Sequence, residues 1–362
     1  MAVRLWSNRV RWRPARGLVA AWGVVLGLTA ISAAIVFGLV REPPRVAPAA
    51  EAASAPAPPR AVSLKLPPRP TDFRILPAAE REAMVETTAD GLRLPKISPS
   101  GWMPWIAYSR RYEPEGPAAR VGLLVINVGA DEALMRRAID ELPGEVSLAF
   151  LPGTPDLGRW MGRAREHGHE SYLMLPIDDP AGTVERGIRP IEATAEMAEN
   201  VRRLRAAMAR AEGYVGLVMP SPGPVSQQDA IARPLVKELA DHGLALIEIT
   251  PPQGGSAMYQ LTVELGVGYA RTSTVLDYKL ASQGIGANLN RMLEWTSEGR
   301  PDRPRHEFGV LQPAPQSIDA VVAWRKRVAD QSAVALVPII GHFECRDACM
   351  ARMRAQPAQL RP

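Results

Sequence analysis

The sequence predicts an α/β domain, a distorted (β/α) barrel of about seven parallel strands, preceded by one transmembrane helix. Three observations carry the expectation. From residue 121 onward, short apolar runs alternate with longer amphipathic ones. Before them lies an Ala/Pro-rich stretch that cannot build a core. Before that stretch, residues 18–40 form an uncharged apolar run.

The run from Leu18 to Val40 is long enough to cross a bilayer, which needs about 20 apolar residues. Arg4, Arg9, Arg11, Arg13 and Arg16 precede it, with no acidic residue among them. Positive flanks stay on the cytoplasmic side. The expected topology is therefore single-pass in the inner (plasma) membrane, with the C-terminal domain in the periplasm. A cleaved signal peptide is the alternative. The boundaries follow: a basic tip at 1–17, the span at 18–40, a linker at 41–70, an N-terminal arm at 71–120, the main domain at 121–345 and a tail at 346–362. In the arm, Trp102, Trp105 and Tyr108 either pack on the domain or form an exposed aromatic surface.

The formal charge of +5 belongs to residues 1–42, which hold six Arg and one Glu. The rest is balanced and has no basic cluster. Nothing in it supports nucleic-acid binding. The two cysteines, Cys345 and Cys349, are expected to form a local disulfide in an oxidising compartment. Two free thiols, or half of a metal site with His342, are the alternatives.

Strands are expected at Val121–Ile126, Val146–Leu151, Ser171–Leu175, Tyr214–Val218, Ala245–Glu248, Gly268–Arg271, Phe308–Leu311 and Val334–Ile340. Helices are expected around 131–142, 155–168, 191–212, 226–242, 256–265, 277–296 and 316–330, each with helical apolar spacing. Repeated strand–helix units imply parallel pairing with right-handed crossovers. Seven or eight units point to a barrel, and an open doubly wound sheet is the alternative.

Active groups of such folds sit at strand C-terminal ends. Those ends carry Asn127; Met174 with Asp178 and Asp179; Met219 and Ser221; Glu248; Arg271; Gln312; and His342. Of the five histidines, only His342 falls at such an end. No nucleophile elbow, phosphate-binding loop or dinucleotide fingerprint is present.

The segments VGLLVINVGADEALMRRAIDELPGEVSLAFLPGTPDLGRWMGRAREHGHESYLMLPID, GYVGLVMPSPG, LVKELADHGLALIEI and FGVLQPAPQSIDAVVAW resemble, in order, the divergent polysaccharide deacetylases, relatives of the NodB-type carbohydrate deacetylases. The resemblance covers about residues 91–341. It implies a distorted barrel, divalent-metal hydrolase chemistry and an envelope location. The departures from the family pattern fall where the chemistry belongs. Asn127-Val128 stands where an aspartate pair is typical, and Met174 stands for a histidine. Val218-Met219-Pro220 replaces an Asn-His stretch, Glu248-Ile249-Thr250 an Asp-Ser-Arg, and Leu311-Gln312-Pro313 a Gly-His-Pro. Arg271 and Asp277 resemble retained residues.

An amide cannot serve as a base, and a thioether is a soft ligand without a proton to donate. The expected function is therefore a membrane-anchored envelope protein, non-catalytic, binding an envelope glycan or an envelope protein through a degenerate pocket of Asn127, Met174, Met219, Arg271, Asp277 and Gln312, with no cofactor. One alternative is a metal-dependent deacetylase with a site rebuilt from Asp178, Asp179, Glu248 and His342. The other is a structural envelope protein.

Overall fold

The structure is a computed structural model that describes residues 64–65, 73–74, 76–111, 119–177, 187–220, 223–250, 256–300, 302–328 and 334–344. All of them lie in the unit Arg60–Pro362. Seven parallel strands form the barrel: β1 (Ala119–Val128), β2 (Ser147–Phe150), β3 (Ser171–Met174), β4 (Gly216–Pro220), β5 (Ala245–Ile249), β6 (Tyr269–Thr272) and β7 (His306–Leu311). They pair in sequence order from β1 to β6, and β7 returns to pair with β1, from His306↔Arg120 to Leu311↔Val125. Between β6 and β7 the seam is joined by a bridge just past β6, Val275↔Val310. The barrel is thus nearly closed.

Helices α1 (Glu132–Glu141), α2 (Leu157–Glu166), α3 (Met197–Met208), α4 (Asp229–Asp241), α5 (Met258–Leu265), α6 (Ser282–Ser297) and α7 (Pro315–Val328) return the chain between strands. Asp131 starts α1 by accepting from the Leu134 amide at 2.8 Å, which satisfies an orphan donor of the first turn.

β2 and β3 are buried along their whole length and on both faces, so each reads as a short, largely apolar run. Alternate side chains enter two separate cores, as the period of two requires. Leu123, Leu148, Leu173, Leu217 and Leu246 face outward, in one core with Met135 of α1, Leu204 of α3 and Trp324 of α7. Leu124, Ala149, Tyr172, Val218, Ile247, Ala270 and Phe308 fill the barrel interior.

The interior is stoppered at the N-terminal ends of the strands. Trp102, Trp105 and Tyr108 belong to the inner core, and the Trp105 ring lies 5.7 Å from that of Phe343. A buried polar latch holds this base. Glu170, just before β3, accepts from the Arg110 amide at 2.9 Å, Ser147 Oγ at 3.1 Å, Tyr172 OH at 2.9 Å and the Ile340 amide at 3.3 Å. Burial pushes its pKa up, against the pull of those donors. Arg110 also pairs with buried Glu145 at 3.2 Å. Full satisfaction is what makes buried charge tolerable here.

Two expectations are corrected. The eighth strand, β8, covers only Val334–Leu336 instead of continuing to Ile340. It pairs with Ala119–Val121 at the base of β1, and past Pro338 the chain turns into a 3-10 helix, Ile339–His342. The transmembrane helix is the second correction. Among the described residues no helix is long and apolar enough to cross a membrane, and residues 18–40 lie outside them. The membrane anchor, the single-pass topology and the periplasmic envelope setting built on that span are withdrawn with it.

Candidate functional site

The C-terminal ends of the strands form the mouth of the barrel. β1 reaches it through a bulge. Its register to β2 steps from Val125↔Leu148 to Val128↔Phe150, so β1 carries one extra residue. Asn127 sits in that bulge with φ at 57°, a left-handed conformation that asparagine tolerates better than most residues. A bulge re-aims side chains. Here it brings Asn127 Nδ2 to donate to Gln312 Oε1 at 3.0 Å, across the β1–β7 pair. Gly129 follows at φ 112°, where any Cβ would collide with the Thr154 side chain.

Gln312 is held in turn by Asp277. The buried Asp277 carboxylate accepts from the Gln312 amide at 2.6 Å and from Ser317 Oγ at 2.8 Å. It fastens the β7–α7 turn, so its part is to position Gln312. Below the amide pair, Ile126, Leu151 and Ile249 are partly buried against the inner core, which also contains Met174.

Other expected site residues stand elsewhere. Met219 faces outward and belongs to the core beneath the helices. Glu248 is fully buried on the same outward face, where Tyr269 OH donates to it at 2.5 Å. Arg271 is its register partner on β6, on the outer side of the sheet. His342 lies at the base, the opposite end from the mouth. A Cβ added to Gly122 would come within 2.6 Å of its Nε2, and its ring is 5.5 Å from that of Phe308. Asp178, Asp179, Ser221, Cys345 and Cys349 lie outside the described residues.

These placements separate two of the four residues expected in a rebuilt metal site. Glu248 and His342 cannot converge, because one lies outside the barrel wall and the other under its floor. Among the described residues no group of three or more His, Cys, Asp or Glu side chains is placed to hold a metal ion.

The buried polar latch has no pattern of its own in the sequence: Glu170 lies in the AREHGHE segment, but its partners Arg110, Ser147 and Ile340 come from distant stretches. The Asn127 bulge has a faint signal, an asparagine two residues before a glycine at a strand end.

Fold, segment order and mouth together define a NodB-like barrel without its metal cluster among the described residues. The divergent polysaccharide deacetylase family matches residues 124–340, and the chain belongs to that family. No curated protein matches it. Among solved structures, an uncharacterized protein of Agrobacterium tumefaciens C58, ATU2773, is 22% identical, with 69% of this chain and 98% of that one covered and a TM-score of 0.61. That likeness concerns the fold. A proposed cellobiose-phosphate cleavage protein of Enterococcus faecalis V583 is 10% identical over 59% of this chain and 96% of that one, with a TM-score of 0.39, too low to carry an argument.

Proposed function

We propose that the barrel is a metal-independent, non-hydrolytic binding domain that seats a neutral, hydroxyl- or amide-bearing ligand at its mouth. The observation that carries this reading is the Asn127–Gln312 pair. With one hydrogen bond between them, Asn127 Oδ1 remains an acceptor and Gln312 Nε2 a donor. A ligand hydroxyl, or an amide with its N–H and C=O, answers both. Neither side chain can take a proton from water at neutral pH, so neither supplies general-base chemistry. The apolar side chains beneath them suit the hydrocarbon face of such a ligand.

The family's description makes an N-acetylated oligosaccharide the first probe. Titration followed by amide chemical shifts is expected to show saturable changes at the mouth. Asn127→Ala or Gln312→Ala removes one hydrogen bond, worth about 1 kcal/mol, and is expected to weaken binding by roughly fivefold to tenfold. Shifts confined to other surfaces, or affinity unchanged in both variants, would refute the assignment of the mouth.

A further inference from the structure

A cavity of about 300 Å3 opens on the flank of the barrel, between residues 74–108 and α2, apart from the mouth. Three guanidinium groups line it: Arg74, Arg81 and Arg165. Glu212, the one carboxylate among its walls, already accepts from Arg93 Nε at 2.6 Å. Arg74 is buried, with Nη1 donating to the Ile106 carbonyl at 2.7 Å.

Arg165 is the most constrained of the three. Its guanidinium stacks 4.1 Å from the Phe73 ring centroid and 5.6 Å from that of Tyr108, and it donates to the Tyr108 carbonyl at 3.2 Å. A stacked guanidinium loses little further freedom when it forms new bonds. No carboxylate of the described residues forms an ion pair with Arg165 or with the exposed Arg81. Burial holds the Arg165 pKa down at about 10, against the pull of Tyr108 and Glu170 and with a smaller push from Arg81. Two guanidinium groups thus face one cavity with no carboxylate of the described residues in contact with either, an arrangement that a bound anion would stabilise.

The cavity is also open to a ligand along α2. Gly158 and Gly162 line it one turn apart, and a Cβ on either would meet nothing within 4 Å.

We propose that this cavity binds a small phosphate- or sulfate-bearing ligand, its oxyanion gripped by Arg81 and Arg165. Guanidinium forks match tetrahedral oxyanions with paired hydrogen bonds. The volume exceeds what a bare ion fills, which leaves room for a small organic body beside the Tyr108 ring.

The test is calorimetric titration of the full chain with inorganic phosphate and with inorganic sulfate, each at ionic strength matched with sodium chloride. Saturable one-to-one binding of at least one oxyanion is expected, and the tighter of the two identifies the headgroup. Arg81→Ala, at an exposed position, is expected to fold normally by circular dichroism and to weaken binding at least tenfold. Arg165→Lys keeps the charge but loses the fork, and is expected to weaken binding as well. Binding of neither oxyanion above the chloride control would overturn the proposal. So would wild-type affinity in folded Arg81→Ala.

Discussion

Replacing His342 by glutamine should make the protein less sensitive to acid. The residue is partly open to solvent, but its Nε2 is enclosed at the barrel floor with no hydrogen-bond partner. Burial first, then the nearby charges of His306 and Arg120, hold its pKa down at about 3 against an ordinary 6.5. The unfolded chain therefore takes up a proton on this imidazole at a pH where the folded protein refuses it. The contribution is fully present above about pH 6.5 and is lost as pH falls toward 3. Each pH unit in that window corresponds to about 1.4 kcal/mol. Between pH 7.5 and 5.0, His342 alone accounts for a loss of at most about 2 kcal/mol, the solvent-facing edge of the ring making this an upper value. That is a large share of a typical net stability of about 5–15 kcal/mol. Urea unfolding of the wild type and of His342→Gln at both pH values measures it. The variant is expected to lose less across the interval, by up to about 2 kcal/mol, whatever its stability at pH 7.5. Parallel losses in the two proteins would refute the placement of a neutral, enclosed imidazole at the floor.

Three further outcomes follow from the packing. Gly122→Ala puts a Cβ 2.6 Å from His342 Nε2 and 2.8 Å from Phe308 Cβ, an overpacking expected to cost about 1–3 kcal/mol; a His342→Ala background should relieve part of it in a double-mutant cycle by denaturant titration. Arg110→Ala leaves Glu145 buried without its cation and is expected to destabilise by about 3–5 kcal/mol, read from the unfolding midpoint. Asp277→Ala strips the acceptor from the Gln312 amide and Ser317 Oγ; a loss of about 1–3 kcal/mol is expected by the same assay, with looser ligand binding at the mouth because Gln312 loses its support.

The strands were legible because a strand buried on both faces is a short apolar run between breakers, and runs such as SLAF and ALIEI have that form. The same property hid the phase. Nothing in VMP or LIEIT says which side chains point into the barrel, so the sequence suggests Met219 and Glu248 as site residues although both face the helices. At Asn127 the extra residue of the bulge shifts the phase again. His342 was misplaced because Pro338 ends the last strand early and sends the chain beneath the barrel. The family resemblance was legible through long stretches such as PGEVSLAFLPGTPDL, whose turn and cap residues keep their spacing even where the chemical groups at the mouth differ. The cavity of Arg74, Arg81 and Arg165 left no mark in the sequence, since its cations come from separate segments within a chain whose acids and bases balance beyond residue 42.

Binding without a metal and without hydrolysis is the central claim, and one experiment bears on it most directly. The chain is stripped of metal, titrated with an N-acetylated oligosaccharide in a calorimeter with and without added zinc, and the recovered sugar is then weighed by mass spectrometry. The expected result is the same saturable affinity in both titrations and a sugar that keeps every acetyl group. Binding that requires zinc, or acetyl loss that depends on the protein, would contradict the claim.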